Sequence, residues 1–398
     1  MKSEIWKLTG AGIVSLGTLL ATATAQEPTV EKVGVEIDGA KPAVVVPDDK
    51  DAPVVQIALL LDTSGSMSGL ISQAKTQLWS VVNEFIAAKQ DGKTPVVQVA
   101  LYEYGKSSLS DNSRWIRQIQ PLTRDLDSIS KELFALSTNG GEEYCGAVIE
   151  QAVTTLTWDA SAKTYKAIFI AGNEPFTQGP VSAQEACKTA ISKGIIVNTI
   201  HCGEEKVGIA TGWKQGALLA DGKFMVIDQN QTVAHIEAPQ DDQILRLNEQ
   251  LNKTYIAYGA KREAWAENQL AQDANANGVN KESLVRRAAT KASKNYFNAH
   301  WDIVDASQQK DFKWTDIKRE DLPEELRKLT TDELKAHVDA QLASRAELQK
   351  QILQLTQERD SWVAEKREEL GEDNSLGQAV SNAIRSQAAM KGISFDVK

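Results

Sequence analysis

The residues with the clearest chemical potential are three oxygen-bearing side chains in one short loop. Asp62, Ser64 and Ser66 form a D-x-S-x-S motif directly after the apolar run of residues 54–61. One carboxylate and two hydroxyls are hard oxygen ligands, which Mg²⁺ or Mn²⁺ prefers together with water. The alternative is structural, because Asp and Ser are also common caps of a following helix, and Asp62 or Ser64 would then have no other role.

The elements around this motif predict the fold. Residues 54–61 are apolar except for Gln56, which is typical of a strand covered on both faces, and an amphipathic helical stripe follows over residues 70–88. Strand and helix patterns alternate from about residue 51 to 230, which predicts an α/β domain with a mostly parallel sheet and helices on both faces. Predicted strands cover 54–61, 96–104, 115–122, 165–171, 195–201 and 223–227; predicted helices cover 70–88, 126–136, 145–156, 182–193 and 211–220.

The combination of strand, D-x-S-x-S and helix resembles the von Willebrand factor type A (VWA) domain family. The resemblance covers residues 51–230, less than half of the chain. It implies a Rossmann-like sheet with a metal-ion-dependent adhesion site on its top edge. It also implies that Asp62, Ser64 and Ser66 ligate Mg²⁺ (or Mn²⁺) and that an acidic residue of a partner protein fills the open position of the metal.

The second loop of the expected site departs from the family pattern. The family usually has a Thr in a Gly-rich loop before the next helix. Here residues 137–143 offer Thr138 under a loose alignment, whereas anchoring on Gly140-Gly141 puts Glu142 at the Thr position. Both Thr138 and Glu142 are therefore candidate ligands.

The third loop departs further, because the family usually supplies an Asp just after an apolar strand. Here the strand runs into Gly172-Asn173-Glu174, and Asn173 is the candidate ligand. We hypothesise a swap in which Glu142 restores the negative charge that Gly172 removes. The alternative is a degenerate site that binds metal poorly.

The remaining segments have distinct compositions. Residues 1–25 combine a basic start, a short apolar middle and an A-T-A end, which predicts a secretory signal peptide cut before Gln26. Residues 26–50 are interpreted as a linker, 51–230 as the VWA-like domain, 231–370 as an all-α extension, and 371–398 as a loosely ordered tail with a short helix around residues 379–390. No other stretch approaches a membrane span.

Thr330 and Glu333 form a capping box that begins a predicted helix reaching Leu370. At 1.5 Å per residue this helix is a rod of roughly 60 Å. Its heptad pattern is weak, so a helical hairpin or a docked rod is favoured over a dimeric coiled coil.

The net charge and the few Cys and His residues limit the classes of function that this protein can have. The formal net charge is −10, which argues against a nucleic-acid partner because phosphate binding requires a basic face. Of the three cysteines, Cys187 and Cys202 are mildly favoured as a disulfide, with three buried thiols, including Cys145, as the open alternative. His201 ends a strand near the expected site and is interpreted as a core or rim histidine.

Two polar segments of the helical region are assigned no function. Asp273 begins an Asn-rich stretch similar to a calcium loop, but Leu284 replaces the Glu that such a loop needs, so a solvated turn is predicted. Arg286, Arg287 and Lys291 are interpreted as a solvated basic face.

These observations predict an exported, metal-dependent protein-binding module, periplasmic or secreted, rather than an enzyme. The alternative is a cell-envelope scaffold that acts through its helical region and carries a degenerate metal site. An enzyme is disfavoured because the sequence offers few general bases near the metal, namely Glu142, Glu143, Glu174 or His201.

Overall fold

A computed structural model of the protein describes residues 52–227, 236–370 and 376–395. The predicted signal peptide (1–25) and linker (26–50) lie outside the described residues. The strands are β1 Val54–Asp62, β2 Lys89–Gln90, β3 Val96–Tyr104, β4 Ile116–Thr123, β5 Tyr165–Gly172, β6 Ile196–Cys202, β7 Phe224–Ile227 and β8 Ile393–Ser394. Helices of the sheet region are α1 Ser68–Asn83, α2 Leu126–Ala135, α3 Cys145–Thr155, α4 Ala183–Ser192, α5 Glu205–Ala210 and α6 Trp213–Leu219.

Six strands form one sheet in the order β4-β3-β1-β5-β6-β7. All neighbours are parallel except β3 and β4, which are antiparallel. Strand β1 is central, and its last residue, Asp62, pairs with Tyr104 at the end of β3. The predicted mostly parallel sheet is confirmed, and its central strands are mostly apolar because helices cover both faces.

The two faces of the sheet bury separate apolar cores. One core joins Ile57 and Leu101 of the sheet to α1, α2 and the C-terminal segment. The other joins Leu60 and Ile170 to α3, α4 and Trp213 of α6. Alternate residues of each strand therefore point to opposite cores.

The structure contains one helix that the sequence analysis does not predict. The helix predicted over residues 211–220 is α6, Trp213–Leu219, and the short helix α5, Glu205–Ala210, precedes it. Gly212 between them has φ +98°, a left-handed conformation that interrupts a right-handed helix.

The remaining helices form the predicted all-α region. They are α7 Asp241–Asn252, α8 Arg262–Val279, α9 Lys281–Lys291, α10 Ile303–Ala306, α11 Thr331–Leu370 and α12 Leu376–Ala389. Helix α11 packs on α7, α9 and α10 along its length, so the docked rod is confirmed. Its capping box is present: the Thr330 backbone N–H donates to Glu333 Oε2 at 2.7 Å, and the Glu333 N–H donates to Thr330 Oγ1 at 3.3 Å.

The end of the chain contains the predicted short helix, as α12, but this helix is docked and not part of a loose tail. Val380, Ile384 and Ala388 of α12 are buried in the core that contains α1. Their spacing of four residues places them on one face of the helix. Strand β8 then pairs antiparallel with β2. Residues 376–395 are therefore an ordered part of the sheet region.

The polar segments of the helical region are also buried, contrary to prediction. Asp273 lies within helix α8, not in a solvated turn. Arg287 and Lys291 are fully buried and both form ion pairs with Asp273, at 2.6 and 2.9 Å. Arg287 also pairs with Asp127 of α2 at 2.5 Å. This cluster joins the helical region to the sheet region.

The favoured Cys187–Cys202 disulfide is not formed. Cys145, Cys187 and Cys202 are buried free thiols, which was the alternative interpretation. Cys187 belongs to the core of one sheet face and Cys202 to that of the other, so the sheet separates them. Within residues 52–227, 236–370 and 376–395, none of the helices has the length and apolar character needed to cross a bilayer.

Candidate metal centre at the carboxyl edge of the sheet

The candidate site lies where three neighbouring parallel strands end. Strands β3, β1 and β5 finish at Tyr104, Asp62 and Gly172, so the loops that follow them share one edge of the sheet. The Tyr104 hydroxyl donates to the carbonyl of Ala171 at 2.9 Å and fixes these strand ends together. This edge is where parallel α/β sheets bind ligands.

The D-x-S-x-S loop arranges its oxygens around Asp62. The Ser64 backbone N–H donates to Asp62 Oδ1 at 2.7 Å, and the Ser64 and Ser66 hydroxyl oxygens are 3.5 Å apart. Asp62 and Ser64 are buried, whereas Ser66 is exposed. The N-cap of α1 is Met67, and no side chain caps it, so the capping alternative for Asp62 and Ser64 is wrong.

The second oxygen of Asp62 is the most unusual atom of the site. Asp62 has no exposed surface, and among the described residues Oδ2 has no hydrogen-bond partner. Burial raises the pKa of Asp62 to about 7; hydrogen bonds from Ser64 lower it, and the charges of Glu143 and Glu174 raise it. Burial of a carboxylate oxygen without a hydrogen-bond partner lowers the stability of the folded protein, and a bound cation would remove that loss.

The third loop brings Asn173 to the site. Its side-chain amide donates to the Ser66 hydroxyl at 3.1 Å, and its Oδ1 has no partner among the described residues. The preceding position has no space for an acidic side chain. A Cβ on Gly172 would lie 2.6 Å from the Tyr104 hydroxyl oxygen and 3.1 Å from Asp62 Oδ2.

The second loop places Glu143, not Glu142, beside Asp62. Glu143 is 7% exposed. Gly105 lies against both acids, and a Cβ added to it would lie 2.7 Å from Glu143 Cγ and 2.9 Å from Asp62 Oδ1. Burial and then the charge of Glu174 raise the pKa of Glu143 to about 7, while a hydrogen bond with the Ser64 side chain lowers it. Two buried carboxyls therefore lie near Ser64.

Glu142 and Thr138 occupy the outer part of the same loop. Glu142 is exposed and accepts a hydrogen bond from the Gln178 amide at 3.2 Å. Thr138 is half-buried next to Asn139, whose backbone N–H donates to the Thr63 carbonyl at 3.1 Å. The sequence does not indicate which of Glu142 and Glu143 is buried in the site. The difference arises from the fold, which brings Gly105 against Glu143.

His201 is a core residue beneath the site. It is 1% exposed and packs on Trp213 with a ring separation of 5.7 Å. Burial lowers the pKa of His201. The interpretation of His201 as a core histidine is confirmed.

The donors suit a hard cation. Asp62, Glu143, the two serine hydroxyls and the Asn173 carbonyl are all oxygen donors, the chemistry that Mg²⁺ and Mn²⁺ prefer. Across the described ranges no group of three or more His, Cys, Asp or Glu side chains has metal-binding geometry, so any cation here depends on the hydroxyls as well. The residues present therefore fit a cation held by mixed carboxylate and hydroxyl oxygens.

A family model agrees with this fold. The model of the von Willebrand factor type A domain matches residues 56–208. A search of curated proteins found no match. Among solved structures, BatB from Bacteroides thetaiotaomicron is 18% identical, with a TM-score of 0.34, and the match covers 44% of this chain and 90% of that one.

Two further structures have similar values. The SpRpn10 VWA domain is 16% identical, with a TM-score of 0.34, and the match covers 46% of this chain and 100% of that one. Proximal thread matrix protein 1 from the mussel byssus, solved with a zinc-occupied MIDAS motif, is 14% identical, with a TM-score of 0.35. That match covers 45% of this chain and 43% of that one. Similarity this low transfers no function between proteins.

The matched residues contain most of β1, the D-x-S-x-S loop, Glu143 and Asn173, all of which build the candidate centre. Residues 56–208 therefore identify this protein as one that contains a von Willebrand factor type A domain.

Proposed function

We propose that the protein is an exported, metal-dependent protein-binding module whose cation, Mg²⁺ or Mn²⁺, ligates a carboxylate of a partner protein. The single observation that carries this proposal is Asp62 Oδ2, a buried carboxylate oxygen with no partner in the described part of the chain. When bound, the cation supplies a Lewis-acidic position that accepts an anionic oxygen ligand.

In this proposal the chain's own residues hold and orient the cation. Asp62, Ser64 and Ser66 are the first-loop ligands. Glu143 replaces Glu142 as the second acid, because Glu143 is buried against Gly105 and Asp62. Asn173 orients Ser66 through its amide, and its buried Oδ1 has no partner among the described residues. Two carboxylates neutralise the two positive charges of the ion.

The proposed role is binding rather than catalysis. Exchange of a water molecule for a partner carboxylate requires no general base. The burial of His201 under Gly208 of α5 supports this role, because a Cβ on Gly208 would lie 2.7 Å from the imidazole ring. Assay of the purified protein against a panel of esters and phosphate esters tests the role, and metal-dependent turnover that Asp62→Ala abolishes would contradict it.

Export is part of the proposal and rests on the basic and apolar pattern of residues 1–25. We expect the mature protein to begin at Gln26. N-terminal sequencing of protein recovered from the extracytoplasmic fraction tests this expectation. A chain that retains Lys2 in that fraction would contradict cleavage.

The test of binding is a pull-down from envelope extract with Mg²⁺ or with chelator, using wild type and Asp62→Ala. We expect partner capture only by wild type with Mg²⁺. Thermal unfolding of both proteins is the control for folding. Capture that persists in chelator and in Asp62→Ala would contradict metal-dependent binding.

A further inference from the structure

A groove separate from the metal centre lies between helix α3 and the turn that joins β3 to β4. Its volume is about 390 Å³, which falls within the range of about 300–1,000 Å³ that is usual for small-molecule sites. Glu150, Gln151 and Thr154 of α3 line one wall, and Asn112 and Arg114 of the turn line the other. None of these residues is a candidate metal ligand, so the groove is a second candidate site.

The groove has an apolar floor and a polar rim. Ile116 and Ala147 line it and are 4% and 1% exposed, so they form the floor. Asn112, Glu150 and Thr154 are exposed at the rim. A ligand that fills the groove must therefore combine an apolar face with a hydrogen-bonding edge.

The charges of the groove cancel. Arg114 and Glu150 are the two charged residues of its lining, and Arg114 Nη1 donates to Glu150 Oε2 at 3.1 Å. This pair joins the two walls. A charged ligand would compete with one member of the pair for the other, whereas a neutral ligand would leave the pair intact. The electrostatics of the groove therefore favour a neutral ligand.

Two side-chain amides of the groove are available to a ligand. Asn112 and Gln151 form local hydrogen bonds through their backbone atoms. Across the described part of the chain their side-chain amides have no hydrogen-bond partner. An amide offers both donor hydrogens and an acceptor oxygen, and a hydroxyl group likewise donates and accepts. A ligand with several neighbouring hydroxyls would satisfy both amides.

The turn that carries Asn112 and Arg114 has an unusual backbone conformation. Arg114 and Trp115 have φ values of +56° and +54°, which are uncommon for residues other than glycine. The Trp115 N–H donates to the Ser110 carbonyl at 3.1 Å, and its ring packs edge-on against Tyr144 at 5.4 Å. Backbone strain of this kind is concentrated at ligand sites. The turn therefore holds one wall of the groove in a fixed geometry.

We propose that this groove binds a neutral carbohydrate through the side-chain amides of Asn112 and Gln151. A sugar ring has a face of C–H groups, which suits the floor of Ile116 and Ala147, and an edge of hydroxyls, which suits the amides and the rim. A peptide is disfavoured, because two floor residues offer little apolar area to an anchoring side chain. This inference does not depend on the proposed metal-dependent function.

The experiment is saturation-transfer difference NMR of the full chain with free disaccharides. The neutral probes are cellobiose, maltose, lactose and diacetylchitobiose, and the charged probes are glucuronic acid and glucosamine. We expect a signal from at least one neutral disaccharide, with the ring C–H protons that contact the floor most strongly saturated. The charged sugars should give weaker signals. Co-sedimentation with cellulose and chitin then distinguishes a unit of a glycan chain from a free sugar.

Variants assign the signal to the groove. We expect Gln151→Ala to weaken binding about fivefold, which is the usual effect of the loss of one hydrogen bond. Asn112→Ala/Gln151→Ala should abolish the signal. Gln184→Ala is the matched control, because Gln184 is an exposed amide of α4 outside the groove, and it should bind as wild type does. Thermal unfolding of each variant checks that the fold is retained.

The outcomes separate this inference from the metal-dependent function. Binding should persist in chelator and in Asp62→Ala, and its loss in either would place the sugar at the metal centre and overturn the inference. Equal signals from wild type and from the double variant would also overturn it. So would the absence of a signal from every neutral disaccharide, or stronger signals from the charged sugars.

Discussion

At the scale of single residues, the site depends on which of two adjacent acids enters the core. Glu142 and Glu143 differ by one position, yet Glu142 is exposed and Glu143 is 7% exposed beside Asp62. A buried acid next to a second acid is a suitable ligand pair for a dication, because the cation removes both the desolvation cost and the mutual repulsion.

We therefore expect Glu143→Gln to weaken Mn²⁺ binding at least tenfold, since it removes one of two charges that neutralise the ion. Glu142→Gln should change the affinity less than about threefold, because an exposed charge is screened by water. Isothermal titration calorimetry measures both. A larger loss in Glu142→Gln would restore Glu142 as the second acid, as the sequence predicts.

The same two acids give the metal-free protein a defined pH dependence. The pKa values of Asp62 and Glu143 rise from 3.8 and 4.5 to about 7 in the folded state. The folded protein then binds more protons than the unfolded protein between about pH 4 and pH 7. The free energy of unfolding should consequently fall as pH rises through this window.

We expect the Tm measured in chelator to decrease from pH 5 to pH 8, and the decrease to be smaller in Asp62→Asn. Saturating Mn²⁺ should raise the wild-type Tm most at pH 8, because protons compete with the metal below pH 7. Differential scanning calorimetry at several pH values is the measurement. Identical slopes in wild type and Asp62→Asn would show that Asp62 does not titrate in this range.

At the scale of elements, the end of β5 explains why the third loop lacks an Asp. Gly172 is surrounded by the Tyr104 hydroxyl, Asp62 and Trp213, and a Cβ would lie 2.6 to 3.2 Å from their nearest atoms. Tyr104 and Trp213 fill the space that a longer side chain would require. The loop therefore contributes its next residue, Asn173, through the Ser66 hydroxyl.

We expect Gly172→Asp, which restores a family-like acid, to lower the Tm and not to increase metal affinity. The added side chain must displace buried neighbours, and overpacking of this kind costs about 1–3 kcal/mol. Gly140→Ala is the matched control, because nothing lies within 4 Å of the Cβ it would add. Tighter Mn²⁺ binding by Gly172→Asp at unchanged Tm would contradict this account.

At the scale of the whole molecule, the helical region is a structural part of the VWA-containing unit. Helix α9 packs on α1, and α12 contributes three residues to a core of the sheet. The Arg287 guanidinium contacts Asp127 and Asp273 and lies over the Trp79 ring at 4.9 Å. Truncation of the chain near residue 240 would expose this core, so a truncated protein cannot test the scaffold alternative cleanly.

We expect Arg287→Ala to lower the free energy of unfolding by about 3–5 kcal/mol, because it leaves Asp127 buried without its cation and leaves Asp273 paired with Lys291 alone. Lys163→Ala should cost less than about 1 kcal/mol, since its pair with Asp91 is 74% and 73% exposed. Urea unfolding of the full chain, followed by fluorescence, is the measurement. Equal losses in the two variants would mean that the buried cluster does not join the two regions.

The sequence by itself determined the elements and the first loop of the centre. An apolar run, a helical stripe and their alternation are local patterns. They predicted the parallel sheet, the position of Asp62 and the long helix α11, but they did not decide between a helical hairpin and a docked rod. Such patterns can be recognised in a single sequence because each depends on which face of one helix or strand is buried. The solvated positions predicted for Asp273, Arg287 and Lys291 are wrong for the same reason, since local polarity gives no information on a distant ion-pair partner.

Only the tertiary structure decided the composition of the second and third loops. Glu143 enters the site because Gly105, which is distant in the sequence, has no side chain and lets Glu143 and Asp62 approach each other. Tyr104 and Trp213 leave no space for an acidic side chain at position 172. The sequence predicts a short helix near α12 but not its burial, which likewise depends on contacts with α1. Each of these outcomes is set by contacts between residues far apart in sequence, and a single sequence does not encode such contacts in any local pattern.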